Sequence, residues 1–161
     1  MNQVASSSPR TGKAATALIE MCSVRLGDML FGVPISHILE ILGSTRPQPV
    51  PLAPGFVGGL VHYRGDMLTT VNLRYLLGMP ALDSPQDILV LEVPGNCFGV
   101  LVDSVGEVFR VRAEDHEPNP AKLDERGKAL FTGSYKLKES LLVIIDPERL
   151  DPLRLSALQA A

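Results

Sequence analysis

The sequence predicts an all-β protein made of two small five-stranded barrels with short helices. Three observations carry that expectation. About ten short apolar stretches are spaced by glycine, proline and aspartate turns, few stretches hold a helical period, and one passage occurs twice in the same order. Phe31-Gly32-Val33 followed by Glu40 returns as Phe98-Gly99-Val100 followed by Glu107, an offset of 67 residues. Ile35, Ile38 and Ile41 then fall opposite Val102, Val105 and Val108. Val57-x-Gly59 returns as Phe131-x-Gly133, and MLTTVN (Met67 to Asn72) returns as LLVIID (Leu141 to Asp146), both offset by 74. Two copies predict two similar lobes, over roughly 16–82 and 83–150, with strand exchange between them allowed and an apolar seam where they meet.

Residues 1–15, with three consecutive serines, Pro9 and Gly12, predict a disordered tail. TALIEMCSVRL, a Gly27-Asp28 turn and MLFGVP predict the first hairpin. Pro34 to Leu42 places Ile35, Ile38, Leu39 and Leu42 at helical spacing behind a first-turn proline, with a bulged strand as the alternative. Four prolines from Pro47 to Pro54 demand an extended connection. A strand from Leu60 to Tyr63, a Gly65-Asp66 turn and a strand from Met67 to Val71 follow. Asn72 caps a helical turn over Leu73 to Leu77 that Gly78 ends. Asp87 to Val93, a Pro94-Gly95-Asn96 turn, Cys97 to Val102 and Glu107 to Val111 form a second meander. Ala113 to Lys128 reads as a polar surface loop, with the Asp124-Glu125 pair solvated. Leu141 to Ile145 is the last strand. Asp146 and Pro147 then supply a cap and first-turn proline for a closing helix that Pro152 interrupts, and 153–161 remains as a tail or short helix.

The chain has 161 residues, 45% of them hydrophobic, enough for one domain or two compact lobes. A net charge of -3 offers no basic stripe for nucleic acid. The apolar stretch Ala14 to Cys22 is short and broken by Glu20, so it reads as a first strand rather than a membrane span. Cys22 and Cys97 lie far apart and read as buried free thiols in a reducing cytoplasm. Arg64-Gly65-Asp66 reads as a hairpin turn. His37, His62, His116, Cys22 and Cys97 lack the close spacing of zinc ligands, so no metal is expected. Neither a G-x-S-x-G elbow nor a glycine-rich phosphate loop is present, and no catalytic residue or cofactor is expected.

The stretch VGGLVHYRGDMLTTVNLR resembles the signature of the CheW-like coupling domain family. FGVPISHILEIL, PLAPGF, GVLVDSVGEV and LLVIIDPERL resemble its other passages in order, so the likeness covers Leu18 to Leu150. It implies two five-stranded, SH3-like barrels packed around a shared hydrophobic groove. It also implies a non-catalytic cytoplasmic adaptor at membrane-bound receptor arrays. Its partners would be the regulatory domain of a CheA-type histidine kinase and the cytoplasmic hairpin tip of methyl-accepting chemoreceptors.

Carried over by position, Glu40 and Arg64 match an ion pair beside the receptor site, where an arginine fork can hold a carboxylate. Ile38 and Ile41 match positions that face the receptor or support the groove. Gly59 sits at the family's glycine and is a contact candidate, while Arg74 matches its second arginine. Asp103 either binds a partner amide or caps a turn. Thr70 stands where proline is usual, Asn72 where aspartate is usual, and His62-Tyr63 where a smaller pair is common. If His62 lines the groove, a different receptor or a pH-sensitive contact follows. These departures leave two other functions in view: the same module in another kinase pathway, such as surface motility or pilus control, and a small enzyme using His62 with Asp66.

Overall fold

The computed structural model describes residues 17–119 and 124–160. The expected tail over residues 1–15 lies outside them. The described residues form ten strands in two five-stranded sheets. These are β1 (Leu18–Leu26), β2 (Met29–Pro34), β3 (Ile38–Thr45), β4 (Val57–Tyr63), β5 (Asp66–Asn72), β6 (Gln86–Val93), β7 (Asn96–Val102), β8 (Ser104–Arg112), β9 (Phe131–Lys136) and β10 (Leu141–Ile145). Short helices α1 (Leu73–Leu76) and α2 (Glu125–Leu130) lie in the connections, and α3 (Pro152–Ala160) follows the last strand.

The strands are not shared out at residue 82. One sheet runs β9-β10-β2-β1-β8 and the other β3-β6-β7-β5-β4. Each therefore takes the first hairpin of one copy of the repeat and the last three strands of the other. Each sheet has one parallel joint between the copies, Phe31 opposite Val143 and Gly32 opposite Ile144 in one sheet and Thr70 opposite Gly99 in the other, and one antiparallel joint, β1 with β8 and β3 with β6. The repeated strands carry the same apolar pattern, so the hairpin of either copy completes the sheet of the other in an equivalent register.

Both sheets curl around a small core to which all five strands contribute. Met21, Leu30, Phe109, Tyr135 and Leu142 meet inside the first. Leu42, Val61, Leu68, Ile88 and Leu101 meet inside the second. The largest cluster lies on the other face of the strands, where Cys22, Val24, Phe31 and Val33 pack with Leu89, Leu91, Phe98 and Val100 at the seam. At ~25 cal/mol per Å² of apolar surface removed from water, this shared layer holds the barrels to each other as well as to themselves.

The repeat extends to backbone detail. Gly59 and Gly133 both adopt positive φ, +120° and +149°, beside bulges in β4 and β9. The outer edge of each strand is covered by a two-bond bridge, Gln48 with Leu60 and Glu117 with Ser134. Pairing of this kind removes an exposed edge.

Three local expectations change. Ile35–His37 is a single 3-10 turn and Ile38–Thr45 is a bulged strand, because this segment pairs with β6 along its length. The hairpin turn is Arg64-Gly65, with Tyr63 paired to Asp66. The polar stretch after β8 contains α2, whose N-cap is Asp124, accepting from the Gly127 N–H at 2.9 Å. Asn72 caps α1 by accepting from the Tyr75 N–H at 3.2 Å. Asn72→Ala should cost about 1 kcal/mol in urea denaturation, the usual loss for such a cap.

Candidate functional site

Edge strands of the second sheet carry the exposed candidates. Glu40 on β3 and Arg64 in the β4–β5 turn approach to 3.7 Å (Oε1 to Nη2), linking the two edges of the curled sheet. The expected bidentate fork is not formed. The side chains are 42% and 74% exposed, so the pair itself is worth about 0 to 1 kcal/mol.

Arg64 has φ +48° and Gly65 φ +83°, the geometry of a type I′ hairpin turn. Asparagine or glycine adopts this backbone at lower cost than arginine. The guanidinium lies 5.3 Å from the centroid of the Tyr63 ring, a cation–π contact that aims it beside the turn.

His62 is exposed on β4 opposite Met67, and both line a cleft of ≈ 440 Å³ with Leu42, Thr45, Arg46 and Gln48. This cleft lies between β3 and β4, at the mouth of one barrel. Asp66 lies outside its lining.

The seam reaches solvent at two aliphatic residues. Ile41 pairs with Leu89 and Val108 with Cys22, and both partners belong to the seam core. Directly opposed residues share a face of a sheet, so Ile41 and Val108 extend the seam outward. They are 46% and 47% exposed. Ile38 and Val105, three residues earlier on each strand, pack against the seam core. Val108 is the repeat's echo of Ile41, and that echo was its only signal in the sequence.

Three other candidates turn out to serve the fold. Gly59 is buried, and a Cβ there would stand 2.5 Å from the Gln48 carbonyl oxygen, so no partner reaches it. Arg74 is only 8% exposed, and it meets Asp103, the third of these candidates. Its Nε and Nη2 donate to the two Asp103 carboxylate oxygens at 2.7 and 2.6 Å, and its Nη1 donates to the Pro80 carbonyl at 2.7 Å. Asp103 also accepts from the Gly27 N–H at 2.7 Å. The bidentate arginine fork is thus present, at Arg74. It ties α1 to the crossover between β7 and β8 and to the β1–β2 turn, across the two sheets. The hydrogen bond from Arg74 pulls the Asp103 carboxyl below its ordinary range against the opposing effect of burial, and the same bond raises Arg74.

Thr70 is fully buried, and its hydroxyl donates to the Gly59 carbonyl at 2.9 Å across the β4 bulge. A proline there would lack that bond. Among the described residues no three His, Cys, Asp or Glu side chains converge as a metal site requires, and no helix is long and apolar enough to cross a membrane.

Exposed aliphatic residues at the end of an apolar seam thus stand on the same surface as a displayed arginine and carboxylate. The chain belongs to the CheW-like domain family, whose model matches residues 20–152. It is 29% identical over 135 residues to the chemotaxis protein CheW of Rhizobium meliloti (strain 1021), covering 83% of this chain and 87% of that one. It is 33% identical over 114 residues to protein FrzA of Myxococcus xanthus, covering 70% and 71%. The fold is that of the scaffolding protein TtCheW from Thermoanaerobacter tengcongensis, with a TM-score of 0.73 and 23% identity over 81% of this chain and 90% of that one.

Proposed function

We propose that this chain is a non-catalytic chemotaxis adaptor, coupling chemoreceptors to a CheA-type histidine kinase at receptor arrays in the cytoplasm. The observation that carries this reading is the family match across nearly the whole described domain, with curated relatives that are chemotaxis CheW proteins. Within it, the receptor's helical hairpin tip docks at the exposed end of the seam. Ile41 supplies apolar contact, Ile38 supports it, and Glu40, Arg64 and His62 set charge and shape beside it. Coupling then follows from a difference in affinity between receptor states.

The test is titration of the purified protein against a receptor hairpin fragment and, separately, against the kinase regulatory domain. Wild type should bind both. Arg64→Glu places a second negative charge beside Glu40 and should weaken the receptor fragment about tenfold or more, while the melting temperature holds, because the side chain is a solvated rim group. Wild-type protein that binds neither partner would overturn the reading. One observation favours a second reading, the same module in another kinase pathway such as surface motility or pilus control: the relative from Myxococcus xanthus is FrzA rather than a CheW. Binding to the kinase domain of one pathway and not the other decides between them.

A further inference from the structure

Asp87 is the second residue of β6, and its carboxylate is shared between two strands of different sheets. Oδ1 accepts from the Ser44 N–H at 3.1 Å, and Oδ2 accepts from the Val105 N–H at 2.9 Å. Ser44 lies near the end of β3, at φ +46°, inside an irregularity where the β3–β6 ladder skips from Leu42 to Thr45. Val105 is the second residue of β8, just after the chain crosses from one sheet to the other. A single side chain therefore satisfies one backbone amide on each of the edge strands that carry Ile41 and Val108.

Charge makes this tie stronger than a neutral one. Hydrogen bonds from backbone N–H groups to a carboxylate are roughly twice as strong as those between neutral groups. The tie also sits at the right place. Ile41 is three residues before Ser44 on β3, and Val108 is three residues after Val105 on β8. The seam core holds the middle strands of both sheets, but β3 and β8 are edges, each with a ladder on one side only. Their spacing depends on what bridges them.

We propose that Asp87 is a positioning residue for the receptor site: by holding Ser44 of β3 and Val105 of β8 on one carboxylate, it fixes the separation of Ile41 and Val108. It touches no partner. This inference rests on the adaptor reading above, and it extends the receptor site to β8.

The experiment compares wild type with Asp87→Asn and Asp87→Glu. Asparagine keeps the shape but leaves only one oxygen to accept, and glutamate keeps the charge but moves both oxygens by one methylene. Three quantities are measured: affinity for the receptor hairpin fragment, affinity for the kinase regulatory domain, and amide hydrogen exchange resolved by residue. Both variants should lose receptor affinity by about tenfold, with kinase affinity changed by less than about twofold. The Ser44 and Val105 amides should be protected in wild type and exchange faster in Asp87→Asn, ahead of their neighbours. Receptor binding unchanged in the variants, both affinities falling together, or unprotected Ser44 and Val105 amides in wild type would each overturn the proposal. A lost melting transition in both variants would assign Asp87 to the fold alone and overturn it too. Wild type failing to bind the receptor fragment counts instead against the adaptor reading.

Discussion

Arg74→Ala should destabilise the protein by about 3 to 5 kcal/mol, as breaking a buried ion pair from one side does. It strips Asp103 of two charge-assisted bonds and leaves the Pro80 carbonyl without its donor. Asp103→Ala should cost a similar amount, since it strands a guanidinium that is nearly enclosed and frees the Gly27 amide. The double variant should lose less than the sum of the two, because neither charge is then left alone in the seam. Urea denaturation of the four proteins measures this.

The pH dependence follows from the direction of the carboxyl shift. Asp103 has a folded pKa below its unfolded value, so its contribution is complete above the ordinary aspartate range, about pH 4. It is lost as pH falls from there through the depressed folded value. The stability gap between wild type and Asp103→Asn should therefore be constant from neutral pH down to that range and narrow below it. A gap that stays the same at lower pH would mean the bonds do not depend on the charge.

Gly59→Ala and Gly133→Ala should each be among the most damaging single substitutions in the chain. At both positions φ is positive, and the cost of that backbone for a side-chain residue is of the order of 1 to 3 kcal/mol. Space is lacking as well. A Cβ at 59 meets the Gln48 carbonyl, and one at 133 meets the Glu117 carbonyl and the His116 ring. Backbone atoms held by two-bond bridges cannot move aside without breaking those bridges. Thermal melts should show two large and comparable losses. A mild effect at either site would mean that the bridge to the outer segment is dispensable.

The hairpins were legible in the sequence because their signals are local. Gly27, Gly65 and Gly95 all sit in turns at positive φ, between strands whose alternation marks them plainly. Asn72 and Asp146 likewise announce the caps they form. Pairings distant along the chain left no such mark. Nothing near Arg74 points to Asp103, so an arginine that reads only as the match to a family position proves to donate three hydrogen bonds inside the fold. Gly59 reads as a contact because it matches the family's glycine, and the Gln48 carbonyl that packs on it sits within a run of prolines that gives no sign of the pairing. α2 was missed because a six-residue helix between prolines and polar residues has too few turns to display a period. The repeat showed that two barrels exist, and the equivalence of its copies concealed which hairpin joins which.

That exchange means the protein has no half that can stand alone. Severed between residues 82 and 83, it would yield two pieces, each holding a hairpin from one barrel and three strands from the other, with neither core complete. The parallel joint between Leu30 and Leu142 pairs the second strand with the last, so the first strands must wait for the last before their sheet closes. Formation of such distant pairings is slow, and the two barrels should melt together in one cooperative transition. Mixed in solution, the severed pieces should assemble into the intact architecture, as two chains interlocked where one was before.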